Sequence, residues 1–250
     1  MDNALLIGLS RQTAMMREMS VIASNLANMN TTGYKSQSTL FDQYLMPVAS
    51  EQSPDKTLSF VQDYGQFRNF ADGEMKQTGN PLDVAINGEG LFKVQTPQGV
   101  RYTRDGHFEL DNSGQLVTEQ GDPVLTDAGS PITFSSDEGH ITIARDGTIT
   151  TTRDGITASE QQRGKLALVS FDNMQTLKNE GDNLYSTTEA EQPVTDPHIV
   201  QGSLEGSNVK PIAEMTNMME VMRSYERAQN LMQAADDMRR QAISQIGGTA

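Results

Sequence analysis

Ser24–Lys35, SNLANMNTTGYK, decides how the rest of the chain is read. It closes a run of apolar residues at helical spacing. Within six further residues it supplies two asparagines, two threonines and a glycine. Asparagine and threonine side chains compete with the helix for backbone hydrogen bonds, and glycine accepts a left-handed backbone without penalty. The stretch is therefore the end of a helix, and a firm one. Gly33 suits the left-handed C′ position. Tyr34 would then be C″ and Met29 C3, the pair that touch in a Schellman stop.

Upstream, the pattern predicts one helix over residues 3–32, capped by Asp2 or Asn3. Leu5, Leu9, Gln12, Met16, Met19, Ala23 and Leu26 follow 4-3 spacing, a heptad seam with one polar break. Met15, Ile22 and Met29 widen the apolar face. Gly8 weakens the first turns by about 1 kcal/mol relative to alanine.

The far end mirrors this. Residues 207–246 read as a second long helix, with Asn208 preferred as its cap and Pro211 in the first turn. Val221, Tyr225, Ala228, Met232, Ala235, Ala242 and Ile246 keep the spacing, and Arg239 takes one seam position. Met218, Met222, Leu231 and Met238 thicken the face, and Gly247-Gly248 ends it. Helices this long with alternating 3 and 4 spacing favour coiled-coil packing. The two could pair within one chain. Their apolar faces are wider than one partner covers, and methionine adapts to several neighbours, which favours packing between chains.

Between the helices lies a different material. Eleven of 14 methionines fall in residues 1–35 and 209–250, whereas 17 of 21 glycines fall between them. The charge divides too. Residues 36–208 hold 11 basic and 26 acidic side chains; the two ends are nearly neutral, within a chain net of −14. An acidic centre repels phosphates and argues against nucleic acid, while neutral ends can pack.

Residues 36–75 show no clear periodicity and read as an extended connector, with an exposed loop at SEQSPDK. Residues 76–206 read as a β domain of short strands at 82–86, 90–95, 100–103, 107–110, 115–118, 123–125, 140–144, 148–151, 165–171 and 184–186. The dipeptides Asp105-Gly106, Asp146-Gly147 and Asp154-Gly155 are expected as type I′ hairpin turns. The fold class is α+β: 1–35 a helix, 36–75 a connector, 76–206 a β domain and 207–250 a helix.

No site chemistry stands out. His107, His140 and His198 have no partner at metal-ligand spacing. Asp111, Ser113 and Gln115 begin like a calcium loop, but the later glycine and glutamate are missing. Gly88 and Gly90 lack the third glycine and the helix of a dinucleotide fingerprint. Nothing singles out a catalytic pair among 33 carboxylates, and tryptophan, a usual sugar-stacking surface, is absent. There is no cysteine, so thiolate chemistry is excluded. No catalytic residue, metal or cofactor is expected. No apolar run is long enough to span a membrane, and the first residues lack the basic region of a cleavable signal.

Three separated stretches resemble the flagellar rod and hook axial family. SNLANMNTTGYK resembles its N-terminal signature, carried by Asn25, Leu26, Ala27, Asn28, Thr31, Gly33 and Lys35. LEGSNVKPIAEMTNMMEVMRSYE resembles its C-terminal signature, carried by Gly206, Ser207, Asn208, Pro211 and Glu214. TGNPLDVAINGEGLFKV and YTRDGHFELDNSGQLV resemble the middle domain. The opening MDNALLIGLSRQ, the connector and the length are most similar to proximal-rod members, with distal-rod members next.

The resemblance implies a structural subunit of the basal-body rod, not an enzyme. It implies partnership with other rod proteins, with copies of itself and with the flagellar type III export apparatus. It also implies periplasmic location, export without a cleaved signal, and terminal helices in an inner tube. On that reading the assembly seam is Leu5, Leu9, Met16, Met19, Ile22, Leu26 and Met29 with Met218, Val221, Met222, Tyr225, Leu231, Met232, Ala235 and Met238.

Overall fold

A computed structural model describes residues 2–47, 57–135, 138–153 and 160–247. In chain order the elements are α1 (Asp2–Ala27), β1 (Gln37–Pro47), β2 (Thr57–Arg68), β3 (Met75–Gln77), β4 (Val84–Ile86), β5 (Leu91–Thr96), β6 (Gly99–Thr103), β7 (Phe108–Leu110) and β8 (Leu116–Thr118). They continue with β9 (Glu138–Ile143), β10 (Thr148–Arg153), β11 (Glu160–Lys165), β12 (Leu168–Ser170), a 3₁₀ turn at Met174–Thr176, β13 (Lys178–Gly181) and β14 (Leu184–Ser186). The last are β15 (Gln192–Pro193), β16 (Ile199–Gln201), β17 (Ser203–Glu205) and α2 (Pro211–Gly247). The architecture is α+β, with a helix at each end and a strand-rich centre. It divides into a helical unit, formed by α1, the β1–β2 strands and α2, and a β unit, formed by 28–36 with 70–209.

In the helical unit, α1 packs on α2 through Met15, Ile22 and Val221, with Met19, Met218 and Tyr225 half-buried around them. Gly8 lies where Met232 closes in: a Cβ there would stand 2.8 Å from the Met232 sulfur. Its cost in helix propensity is thus offset by a close approach.

The segment expected as a connector is different. β1 and β2 form a long antiparallel ladder from Gln37↔Arg68 to Pro47↔Thr57, with a register shift between Leu40 and Phe41. No alternation announced it, because the ladder packs mainly against α1 rather than into a two-sided core. Residues 70–75 belong instead to the β unit. The expected SEQSPDK loop lies outside the described residues.

The β unit is built on a six-stranded antiparallel sheet in the order β13-β14-β6-β5-β12-β15. β5 buries both faces. Phe92 and Val94 enter a core with Phe108, Ile132, Ile149 and Ile199. Leu91 enters a second with Tyr102, Phe171 and Tyr185. The Phe92 and Phe108 rings meet edge to face at 5.2 Å. β9, β10 and β11 form a three-stranded sheet, and β3–β17, β4–β16 and β7–β8 form pairs. Residues 123–125, expected as a strand, make only isolated bridges, among them Val94↔Val124.

Three local expectations are corrected. First, α1 ends at Ala27, five residues early. Asn28 O accepts the Thr31 N–H at 3.2 Å, Thr31 O accepts the Tyr34 N–H at 3.3 Å, and Thr31 Oγ1 donates to Asn28 Oδ1 at 3.1 Å. The polar side chains turn the backbone before the glycine is reached. Gly33 does adopt φ +67°. Its N–H, however, donates across the fold to Glu205 O at 2.8 Å and makes no Schellman bond.

Second, α2 begins at Pro211, so Lys210 rather than Asn208 precedes it, and Lys210 O accepts the Glu214 N–H. Third, neither Asp105 nor Asp146 has positive φ; the left-handed pair is Asp182-Asn183, between β13 and β14. The Asp146 carboxylate instead accepts from the Thr148 N–H and hydroxyl. Asp154-Gly155 lies outside the described residues.

Candidate functional site

The helix faces place the expected seam as follows. On α2, Val221 is buried and Met218, Tyr225, Ala228 and Met232 are half-buried, whereas Met222, Leu231, Ala235 and Met238 are exposed. On α1 the covered line is Met15, Met19, Ile22 and Leu26. Leu9 and Met16, expected on the seam, are 52% and 57% exposed. Met19, Ile22 and Leu26 of the expected seam are thus covered, and Met15 rather than Met16 joins them. Met29 is exposed beyond the helix end, and the Leu5 side chain lies outside those described.

Both helices therefore keep uncovered apolar stripes. Leu6, Leu9 and Met16 form one on α1. Ile212, Met215, Met219 and Met222 form another on α2, at 3-4-3 spacing, with Ile212 80% exposed. Leu231, at 72%, Met238 and Ile243 continue the exposure along α2.

The signature residues do something else: they are joinery. Asn25 is buried, and its side-chain amide pairs with the Gln37 backbone in both directions, Nδ2 to O at 2.8 Å and N to Oδ1 at 2.9 Å. It copies a strand partner at the first residue of β1. Leu26 is half-buried and Ala27, exposed, ends the helix.

In the β unit, Lys35 and Glu205 are each 1% exposed and meet at 2.6 Å. The Lys35 ammonium also donates to Ala71 O at 2.9 Å and Phe70 O at 3.3 Å, which fills its three N–H donors. The other Glu205 oxygen accepts from Arg104 Nε at 2.5 Å. The Gly73 N–H donates to Glu205 Oε1 at 2.8 Å. Arg104 is buried too, and reaches Asp72 at 2.9 Å and the carbonyls of Ile86, Gly88 and Gly90. Two cations face two carboxylates, and the cluster is neutral.

Burial acts to raise the Glu205 carboxyl, but Arg104, Lys35 and the Gly73 N–H together hold it below the usual range. Burial lowers the Lys35 ammonium, partly opposed by Glu205.

Around this cluster the backbone is tight. A Cβ on Gly33 would lie 2.6 Å from Asp105 N, and one on Gly73 would lie 1.9 Å from Gly206 O. The Gly206 N–H donates to Glu74 O, and Ser207 Oγ accepts from the Val209 N–H. Asn208 accepts the Ser36 N–H at 2.7 Å and donates to Ala71 O at 2.9 Å. So residues 33–36, 70–73, 104 and 205–208 are locked together inside one unit.

Beside Gly33, burial pushes the Asp105 carboxyl up to about 6, against the His107 N–H that donates to it. A hydrogen bond to Asp83 at 2.8 Å raises the His107 imidazole. A cleft of 650 Å³ next to the junction is lined by Phe70, Asp72, Leu91 and Phe171 among others.

The sequence singled out Lys35 and Gly33; Arg104 and Glu205 lay inside the resembling stretches without an assigned role, and Asp72 lay in the expected connector. A lysine in a polar turn reads as exposed because lysine is so rarely buried. The one signal was that Lys35 and Gly206 fell in separate signatures. Among the described residues no His, Asp and Glu cluster is arranged to hold a metal ion, and no helix is long and apolar enough to cross a membrane.

Comparison with known proteins accounts for this layout. Residues 5–35 match the family described as flagella basal body rod protein. Residues 85–151 match the flagellar hook protein FlgE/F/G D1 domain. Residues 200–245 match the flagellar basal body rod FlgEFG protein C-terminal family. The chain is 42% identical over 255 residues to the flagellar basal-body rod protein FlgF of Caulobacter vibrioides, with 99% of each chain covered. It is 32% identical to FlgF of Mesorhizobium japonicum, again over 99% of each. It is 34% identical to the flagellar basal-body rod protein FlgG of Buchnera aphidicola subsp. Schizaphis graminum, over 91% of this chain and 93% of that one. With joined signatures at both ends and full-length similarity, the chain belongs to the flagellar basal-body rod protein family.

Proposed function

We propose that this chain is a structural subunit of the bacterial flagellar basal-body rod, of the proximal type. It polymerises with other axial proteins into the shaft that transmits torque and walls the export channel. The role is structural, not enzymatic. Identity to an FlgF relative over nearly the whole chain exceeds that to FlgG relatives, which favours the proximal over the distal type. The partners are other rod subunits, copies of itself and the type III export apparatus, and the site of action is the periplasmic rod, reached without a cleaved signal.

The observation that carries this reading is the pair of uncovered apolar stripes on the terminal helices. Each large side chain moved out of water contributes about 1.5–3 kcal/mol. Ordering a helix costs roughly 1–2 kcal/mol of backbone entropy per residue, so one neighbour is not enough and several are needed. Most of a helix's stability in a protein comes from packing its apolar face, which such neighbours supply. Assembly is then cooperative, and α1 and α2 together line a coiled-coil-like inner tube. The test is co-purification of the chain with intact basal bodies, located along the axis by microscopy. Its absence from them would exclude the reading.

A further inference from the structure

The 650 Å³ cleft of the β unit is lined by both apolar and acidic side chains. Leu91 and Phe171 in its wall are buried, whereas Phe70 and Met174 pack on their core from outside and stay half-buried. Glu89, between β4 and β5, and Asp172, just before the 3₁₀ turn, are exposed carboxylates of the lining. The two cations of the lining are already occupied: Lys35 is bound to Glu205, and Arg104 to Glu205 and Asp72. That cluster is neutral, so no cation of the lining remains to balance Glu89 and Asp172. Within four residues of the lining along the β unit, Glu74, Asp105, Glu189, Glu191 and Asp196 outnumber Lys76, Lys93, Arg101 and Lys178. His107 is bound to Asp83. The flanking charge therefore does not reverse the sign.

We propose that this cleft receives a basic segment of another protein, one that sets an arginine or lysine beside an apolar side chain. Arginine and lysine bury an apolar stem while the charged head stays at the water edge. The stem and its apolar neighbour cover Phe70 and Met174, and the head meets Glu89 and Asp172. The volume lies within the roughly 300–1,000 Å³ of pockets that enclose organic groups. Charge complementarity selects the occupant. An acidic or phosphorylated segment would set like charges together without a free cation to receive it. A second copy of this chain carries a net charge of −14 and is repelled on approach, so the segment belongs to a different protein. The proposal goes beyond the rod reading and does not rest on it, since the cleft lies wholly within the β unit.

The probe is a fluorescein-labelled hexapeptide of alternating leucine and arginine, titrated with the full chain at low salt and read by anisotropy. Saturable binding is expected. Replacing the arginines of the peptide by glutamate, or its leucines by glycine, should weaken it by about tenfold or more. Glu89→Lys with Asp172→Lys in the chain should also cost about tenfold. Glu119→Lys with Asp127→Lys makes the same change in net charge on exposed residues outside the lining, and should cost less than about twofold. Met174→Asp should erase the preference for leucine over glycine. No saturable binding, equal losses from the two pairs of charge reversals, or an affinity indifferent to leucine would overturn the proposal. So would self-association of the chain that Glu89→Lys with Asp172→Lys abolishes, because a second copy would then be the occupant. The outcome is separable from the rod reading: a chain present in basal bodies that does not bind the peptide refutes the cleft's role only.

Discussion

The β unit and the helical unit treat their large apolar side chains in opposite ways. Val84, Leu91, Phe92, Val94 and Phe108 are wholly buried in the β unit, while Leu9, Met16, Ile212, Leu231 and Met238 stand in water on the helices. The charges are reversed as well: the β unit buries Lys35, Arg104 and Glu205, and the helices keep Arg11, Arg227 and Arg239 outside. One unit is complete as a monomer. The other has a small internal core and uncovered apolar faces.

That contrast is broken most severely at the ionic junction. Glu205→Ala leaves two buried cations without their shared carboxylate, and should cost about 3–5 kcal/mol in denaturant unfolding of the β unit. Glu205→Gln with Lys35→Met should recover part of that loss. A single substitution worth under 1 kcal/mol would mean the junction is not the tie between these segments.

Gly33→Val comes next. It forces a β-branched residue into φ +67° and drives Cβ into the Arg104–Asp105 backbone. A loss of about 2–4 kcal/mol is expected, with faster amide exchange at residues 28–36. An unchanged melt would remove Gly33 from this role.

Asp105 sharpens the contrast through pH. Its folded value, about 6, lies above the ordinary 3.8, so the folded state holds the proton more tightly. Stability from this group is fully present below pH 3.8 and falls as pH rises to about 6. Asp105→Asn should flatten that slope, a difference on the order of 2 kcal/mol. Melts recorded from pH 4 to 7 decide it; equal slopes in both proteins would refute it.

The smallest effect on stability belongs to the helix faces. Leu9→Asp with Met16→Asp should shift monomer stability by no more than about 0.5 kcal/mol, because both residues are already in water. Incorporation into rods should nevertheless be lost. Normal rods from this variant would show that the α1 stripe is not an assembly surface.

How much of this was legible in order along the chain differs by feature. The two helices, the β centre and the left-handed Gly33 follow from local rules: period, turn chemistry and the missing Cβ. The β1–β2 ladder did not, since the hairpin packs mainly against one helix and its sequence carries no simple alternation. On α1 the expected Met19, Ile22 and Leu26 are covered while Leu9 and Met16 are exposed, because 4-3 spacing alone does not say which of two neighbouring lines meets the partner helix.

The sequence alone determined that the ends are long amphipathic helices, that the centre is a turn-rich β domain, and that Asn25, Gly33, Lys35 and Asn208 belong to paired signatures. Tertiary structure decided what those signatures hold. Lys35 and Glu205 lie 170 residues apart and are joined at 2.6 Å. No local pattern encodes a pair of that separation, since each charge is tolerated in the interior only once the other, with Arg104 and the carbonyls around them, has replaced its water.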